Sequence, residues 1–134
     1  MTTGYSGTPL IKKLGMKPHT KLLLLNTPPN YYQLLGELPE GLSINEHESS
    51  IDFVHLFTKS AEDLRKLLPQ LMTVIKRDGA IWVSWPKKAS KVPTDITENI
   101  IREVALPIDL VDVKVCAVDE VWSGLKLYIR KDKR

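Results

Sequence analysis

Three apolar runs, Leu22 to Leu25, Ile51 to Phe57 and Ala80 to Trp85, constrain this chain more than any other feature. Short runs of this kind suit strands covered on both faces, and such strands belong to parallel sheets flanked by helices. Between the last two runs, Ser60 to Arg77 reads as a helix with an apolar stripe of Leu64, Leu67, Leu68, Leu71 and Ile75. Ser60 supplies a side-chain cap, and Asp78 followed by Gly79 reads as the stop just past its end. Strand, helix, strand at this spacing is a βαβ unit, whose crossover is right-handed in nearly all known cases. Pro69 removes one backbone bond, to the carbonyl of Arg65, so a kink or two abutting helices are expected.

The flanking segments complete an α/β domain. Thr8 and Pro9 open a short helix, led in by GYSG, that presents Leu10, Ile11 and Leu14 on one face and stops at Gly15. Asp95 with Glu98 three residues later has the spacing of a capping box, and Ile96, Ile100, Ile101 and Val104 continue as a helical stripe that ends before Pro107. Val111 to Val118 and Leu125 to Ile129 alternate as half-exposed strands, and the link Asp119 to Gly124 is short enough to make them an antiparallel hairpin. Leu42 to Glu46 also looks like a strand. Only four residues separate it from Ile51, whereas a parallel crossover needs a dozen or more, so it is either antiparallel to the next strand or too short to count. The expected fold is a single Rossmann-like domain over residues 1–134, with a mostly parallel sheet and a C-terminal antiparallel hairpin.

Composition narrows the partners. A chain of 134 residues with 43% hydrophobic and 26% charged residues can bury a core without staples. Nineteen basic against sixteen acidic residues leave +3, too small an excess for a protein that neutralises many phosphates, which disfavours nucleic acid. Cys116 is the only cysteine, so no intramolecular disulfide and no thiolate metal cage can form. No signal-type or membrane-spanning apolar stretch is present, and a cytoplasmic location with no membrane partner is the expectation.

Three stretches, GYSGTPLIKKLG, WPKKASKVPTDITENIIREVALP and LVDVKVCAVDEVWSGLKLYIRK, together resemble a family of small bacterial proteins known as a domain of unknown function. That resemblance covers nearly the whole chain and implies no activity or substrate. The order of elements in the second half also resembles a shortened methyltransferase-type Rossmann domain. This analogy concerns the fold, and function must come from the site.

In a methyltransferase, the adenosylmethionine loop follows the first strand, where glycines let backbone amides approach the cofactor. Here that position holds Asn26, Thr27, Pro28, Pro29 and Asn30, without a glycine and with two amide donors removed. Glu46 and Glu48 stand about twenty residues on, where a ribose-binding acid is expected, but without the loop they read as solvated. The sequence therefore assigns no cofactor. His19, His47 and His55 lack metal-ligand spacing, His55 among its apolar neighbours reads as a hydrogen-bonded core histidine, and Cys116 reads as a packing residue.

The segment Trp85-Pro86-Lys87-Lys88-Ala89-Ser90-Lys91 leaves the carboxyl end of a central strand, the place where open parallel sheets bind ligands. Lys87 and Lys88 are thus candidates for an anion site, with Ser90 and Thr94 as hydrogen-bond partners and Trp122 bordering the same crevice. The alternative is a solvated basic loop. The terminal cluster Lys126, Arg130, Lys131, Lys133 and Arg134 lacks interleaved aromatics and reads as a frayed, soluble tail. No acid/base pair or activated nucleophile is legible. The leading functional reading is a module that binds an anionic small molecule or a protein partner. A divergent methyltransferase and a nucleic-acid accessory protein are the alternatives.

Overall fold

A computed structural model describes residues 9–134. Its sheet has six strands in the order β2-β1-β3-β4-β6-β5: β1 (Lys21–Leu25), β2 (Ser43–Ile44), β3 (Ile51–Phe57), β4 (Ile75–Pro86), β5 (Leu110–Ala117) and β6 (Trp122–Ile129). Strands β2, β1, β3 and β4 pair in parallel. The last strand, β6, turns back antiparallel against β4, and β5 pairs antiparallel with it at the edge. This is the single α/β domain with a C-terminal hairpin that the apolar runs imply.

Both faces of the sheet are covered, which is why the central strands lack a polar alternate. Helices α3 (Ala61–Met72) and α4 (Glu98–Ala105) bury Leu64, Leu68 and Ile101 against Val54, Leu56, Ile81 and Val83 on one face. Helices α1 (Leu10–Leu14) and α2 (Tyr31–Leu35) bury Leu14, Tyr31 and Leu35 with Phe53, Phe57 and Trp82 on the other. Gly15 ends α1 in the left-handed region at φ 75°, donating to the carbonyls of Ile11 and Lys12, as a C-terminal glycine does. Pro9 stands one position before that helix. Its proposed partner Thr8 and the GYSG lead-in lie outside the described residues.

Several boundaries differ from the sequence expectation, each for a local reason. Helix α3 stops at Met72, five residues short of Arg77. Thr73 caps it by donating its hydroxyl to Gln70, and Ile75 leaves the helical stripe to pair with Ile51. Gly79 is therefore a strand residue, where the register slips from Ile51 opposite Ile75 to Phe53 opposite Ala80. Pro69 is accommodated inside one continuous helix, not between two. Ser60 does cap α3, accepting from Asp63 N at 3.2 Å.

The Asp95–Glu98 capping box does not form. Thr97 is the cap of α4, accepting from Ile100 N at 3.2 Å, and Ile96 packs in the core ahead of the helix. The Asp95 carboxylate reaches across to accept from Ala61 N at 2.8 Å, at the start of α3. Strand β2 is two residues long and parallel to β1 on its outer side, so the antiparallel pairing with β3 does not occur. The C-terminal residues are not frayed: Arg77 donates to Lys133 O, Arg134 donates to Ile129 O, and Arg130 pairs with Asp109 and Asp132. Among the described residues no helix is long and apolar enough to cross a membrane.

Candidate functional site

From β1 the chain passes to β2 on one side and then, by way of β3, to the other, so the order reverses between β1 and β3. In open α/β sheets ligands bind outside the carboxyl ends of the strands at such a point. A cavity of about 660 Å3 lies there, walled by Asn26, Pro28 and Pro29 after β1, Thr58 and Lys59 after β3, and Trp122. Phe57 and Trp122 meet edge to face with ring centroids 5.0 Å apart. Lys59 and Asp63 are its charged residues, one of each sign.

Beneath Phe57 the strands hold a buried polar chain. The imidazole of His55 stacks on Phe57 at 4.3 Å, its Nδ1 lies 2.8 Å from the Tyr31 hydroxyl and its Nε2 lies 2.7 Å from Ser84 Oγ. A neutral imidazole has one N–H, so one of these hydroxyls donates to the ring and the other accepts from it. Burial disfavours the imidazolium and lowers the His55 pKa to about 3. Burial, with Tyr32 nearby, pushes Tyr31 up. The chain fixes α2 against β3 and β4 with every group neutral, and His55 is thus the hydrogen-bonded core histidine of the sequence reading.

The segment after β1 offers few free backbone amides. Asn26 takes the left-handed conformation at φ 58°, Pro28 and Pro29 carry no amide, and the Tyr31 amide is already given to Pro28 O. After β2, the Asn45 side chain folds back to bond both backbone groups of Leu24, at 2.7 and 3.1 Å. Among the described residues no cluster of His, Cys, Asp or Glu could hold a metal ion. Cys116 is partly buried, which pushes its thiol up and away from the thiolate that a nucleophile requires.

A second cavity, about 710 Å3, opens between the loop that leaves β4 and the start of α4. Its charged residues are Lys88, Lys91, Arg102 and Glu98, three cations to one carboxylate. Glu98 binds Arg102 at 2.8 Å, and Arg102 also donates to Asp112 at 3.0 Å. Neither Lys88 nor Lys91 forms an ion pair among the described residues. Val92 walls both cavities.

The five residues singled out from the sequence are thereby divided. Lys88 and Thr94 line the α4 cavity, whereas Trp122 lines the switch-point cavity. Lys87 lines neither of the two. Its amide donates to Val121 O at 2.7 Å, tying the loop to the hairpin link. Ser90 closes the turn after β4 by donating to Lys87 O and accepting from Val92 N. The Thr94 hydroxyl donates to Lys59 O and accepts from Ile96 N, so it shapes the wall. Lys91, Arg102 and Lys59 were not anticipated. Lys59 follows a strand's carboxyl end and was findable by the rule that drew attention to Lys87, while Arg102 is visible only once α4 is folded against the loop.

No protein-family model and no curated protein sequence matches the chain. Solved structures do resemble it. A SAM-dependent methyltransferase from Aquifex aeolicus superposes with a TM-score of 0.65 at 16% identity, over 90% of this chain and 87% of that one. The DhpI–SAH complex gives 0.63 at 8% identity, over 92% and 83%. A protein of the NADB-Rossmann superfamily from Streptococcus agalactiae gives 0.53 at 10% identity, over 96% and 71%. Likeness at such identity defines the fold, a methyltransferase-type Rossmann domain.

Proposed function

We propose that this chain is a ligand-binding module on a methyltransferase-type Rossmann fold, and that its α4 cavity takes an anionic small molecule. One observation carries the reading: Lys88 and Lys91, without ion-pair partners among the described residues, face a cavity whose single carboxylate is already neutralised by Arg102. Elsewhere at the carboxyl edge, the charges of the switch-point cavity cancel. Exposed ion pairs add only ~0 to 1 kcal/mol each, so the enclosing loop matters as much as the charges. The test is thermal unfolding with increasing phosphate or sulfate, in the wild type and in a Lys88→Ala, Lys91→Ala double variant. A ligand at a hundred times its dissociation constant stabilises the fold by about 2.7 kcal/mol. A shift in the wild type that is lost in the double variant supports the reading; equal shifts contradict it.

A divergent methyltransferase is the second reading, favoured by the switch-point cavity and by the fold of the neighbours. The prolines after β1 and the inward-folded Asn45 weigh against it.

A further inference from the structure

The floor of the α4 cavity is apolar where its rim is cationic. Of its lining, Trp85, Pro86 and Ile96 are buried and Val92 is half-buried, whereas Pro93, Lys88 and Lys91 are exposed. A bare inorganic anion would meet the lysines and leave this floor in contact with water.

Trp85 adds a directional feature. The residue is only 7% exposed, yet its indole N–H has no hydrogen-bond partner among the described residues. Among the described residues no side-chain nitrogen or oxygen that is sealed from solvent lacks a partner, so this N–H has access to solvent. The other buried tryptophan differs: Trp82 Nε1 donates to Leu14 O at 2.9 Å. Buried indole N–H groups ordinarily find an acceptor. Trp85 lines the cation-bearing cavity, so its unpartnered N–H is a donor that a ligand's oxygen can meet there.

We infer that the α4 cavity binds a small amphipathic acid, an aromatic or short acyl body carrying a carboxylate or phosphate. The body covers Pro86, Val92 and Pro93, the anionic group meets Lys88 and Lys91, and an oxygen accepts from the Trp85 indole. This rests on the anion-binding reading above and adds the class of ligand. Apolar burial supplies affinity that two exposed ammonium groups do not, and the charge and the indole fix the orientation.

The experiment is calorimetric titration of the intact chain with four probes: inorganic phosphate, phenyl phosphate, phenylacetate and uncharged 2-phenylethanol. The expected result is phenyl phosphate binding at least tenfold more tightly than phosphate, phenylacetate also binding, and no measurable heat from 2-phenylethanol. Lys88→Ala with Lys91→Ala should weaken phenyl phosphate at least tenfold. Trp85→Phe, which keeps an aromatic floor and deletes the donor, should weaken it about fivefold, with unchanged thermal stability showing that the fold is retained. Equal affinity for phosphate and phenyl phosphate would overturn the amphipathic class while leaving an anion site. Equal affinity for phenyl phosphate and 2-phenylethanol would overturn the role of charge. Unchanged affinity in a folded Trp85→Phe variant would overturn the indole contact. Binding of none of the four would remove the anion-binding reading itself.

Discussion

Acid should destabilise this protein through His55 at a higher pH than it does through Asp52 or Asp132. Burial holds the folded-state pKa at about 3, against 6.5 for the free side chain. Above pH 6.5 the imidazole is neutral whether folded or unfolded and contributes no pH dependence. Below it the unfolded chain binds a proton that the fold refuses, so stability falls as pH falls, until the folded pKa is reached. Each pH unit well inside that window is worth about 1.4 kcal/mol, and the slope is half that at pH 6.5, so lowering the pH from 6.5 to about 4.5 should remove about 2 kcal/mol. That is a large share of the roughly 5 to 15 kcal/mol that holds a typical domain. The carboxylates with lowered pKa, Asp52 beside Lys21 and Lys76 and Asp132 beside Arg130, contribute losses only at lower pH, below the ordinary Asp range. Urea unfolding at intervals through the window measures the slope. His55→Gln retains a donor and an acceptor and cannot titrate, so its slope should be shallower by about 1.4 kcal/mol per pH unit. His55→Leu strands the Tyr31 and Ser84 hydroxyls, at roughly 1 to 3 kcal/mol each, and should lose about 2 to 6 kcal/mol at neutral pH. Parallel pH slopes for the wild type and His55→Gln would refute the reasoning.

Other outcomes follow from single contacts. A Cβ on Gly79 would stand 2.7 Å from Ile75 Cδ1 and 3.0 Å from Asp52 O, so Gly79→Ala should lower stability by ~1 to 3 kcal/mol in urea unfolding. Thr97→Ala should cost ~1 kcal/mol as a lost helix cap, whereas Glu98→Gln, at the second position of the supposed capping box, should leave the cap intact. Calorimetry with adenosylmethionine should show no micromolar binding in the usual mode; such binding, if abolished by changes within residues 26–30, would contradict the account of Pro28 and Pro29.

The sheet was largely legible because its central strands are buried on both faces and cannot alternate. What local pattern hid is instructive. Ile75 follows Leu71 at helical spacing, so the stripe runs on, but pairing with Ile51 takes it into β4. Asp95 and Glu98 have the right separation for a capping box, yet Asp95 satisfies the amide of Ala61, 34 residues away, and the neighbouring Thr97 caps the helix. Of the two alternatives for residues 42–46, the antiparallel pairing fails because the partner of β2 is β1, on the far side from β3, and the strand is only two residues long. Helix α2, five residues long and preceded by two prolines, has too little periodicity to register.

The site was legible as a segment and not as a surface. The loop after β4 stood out by its lysines and its place at a strand's carboxyl end, and the structure puts Lys88 in a cavity there. Which lysine faces the cavity depends on the turn that Ser90 closes and on Lys91 taking the left-handed conformation at φ 61°. Trp122 sits on the other side of Val92 because β6 pairs it with Pro86. Neither fact is encoded within a few residues.

The location of binding is the central claim, and amide chemical-shift mapping of the nitrogen-labelled protein during a phenyl phosphate titration tests it most directly. The account predicts saturable shifts concentrated in residues 88–99 and at the Trp85 indole N–H. Shifts confined to residues 26–30 and 58–60 would place the ligand in the switch-point cavity and contradict it.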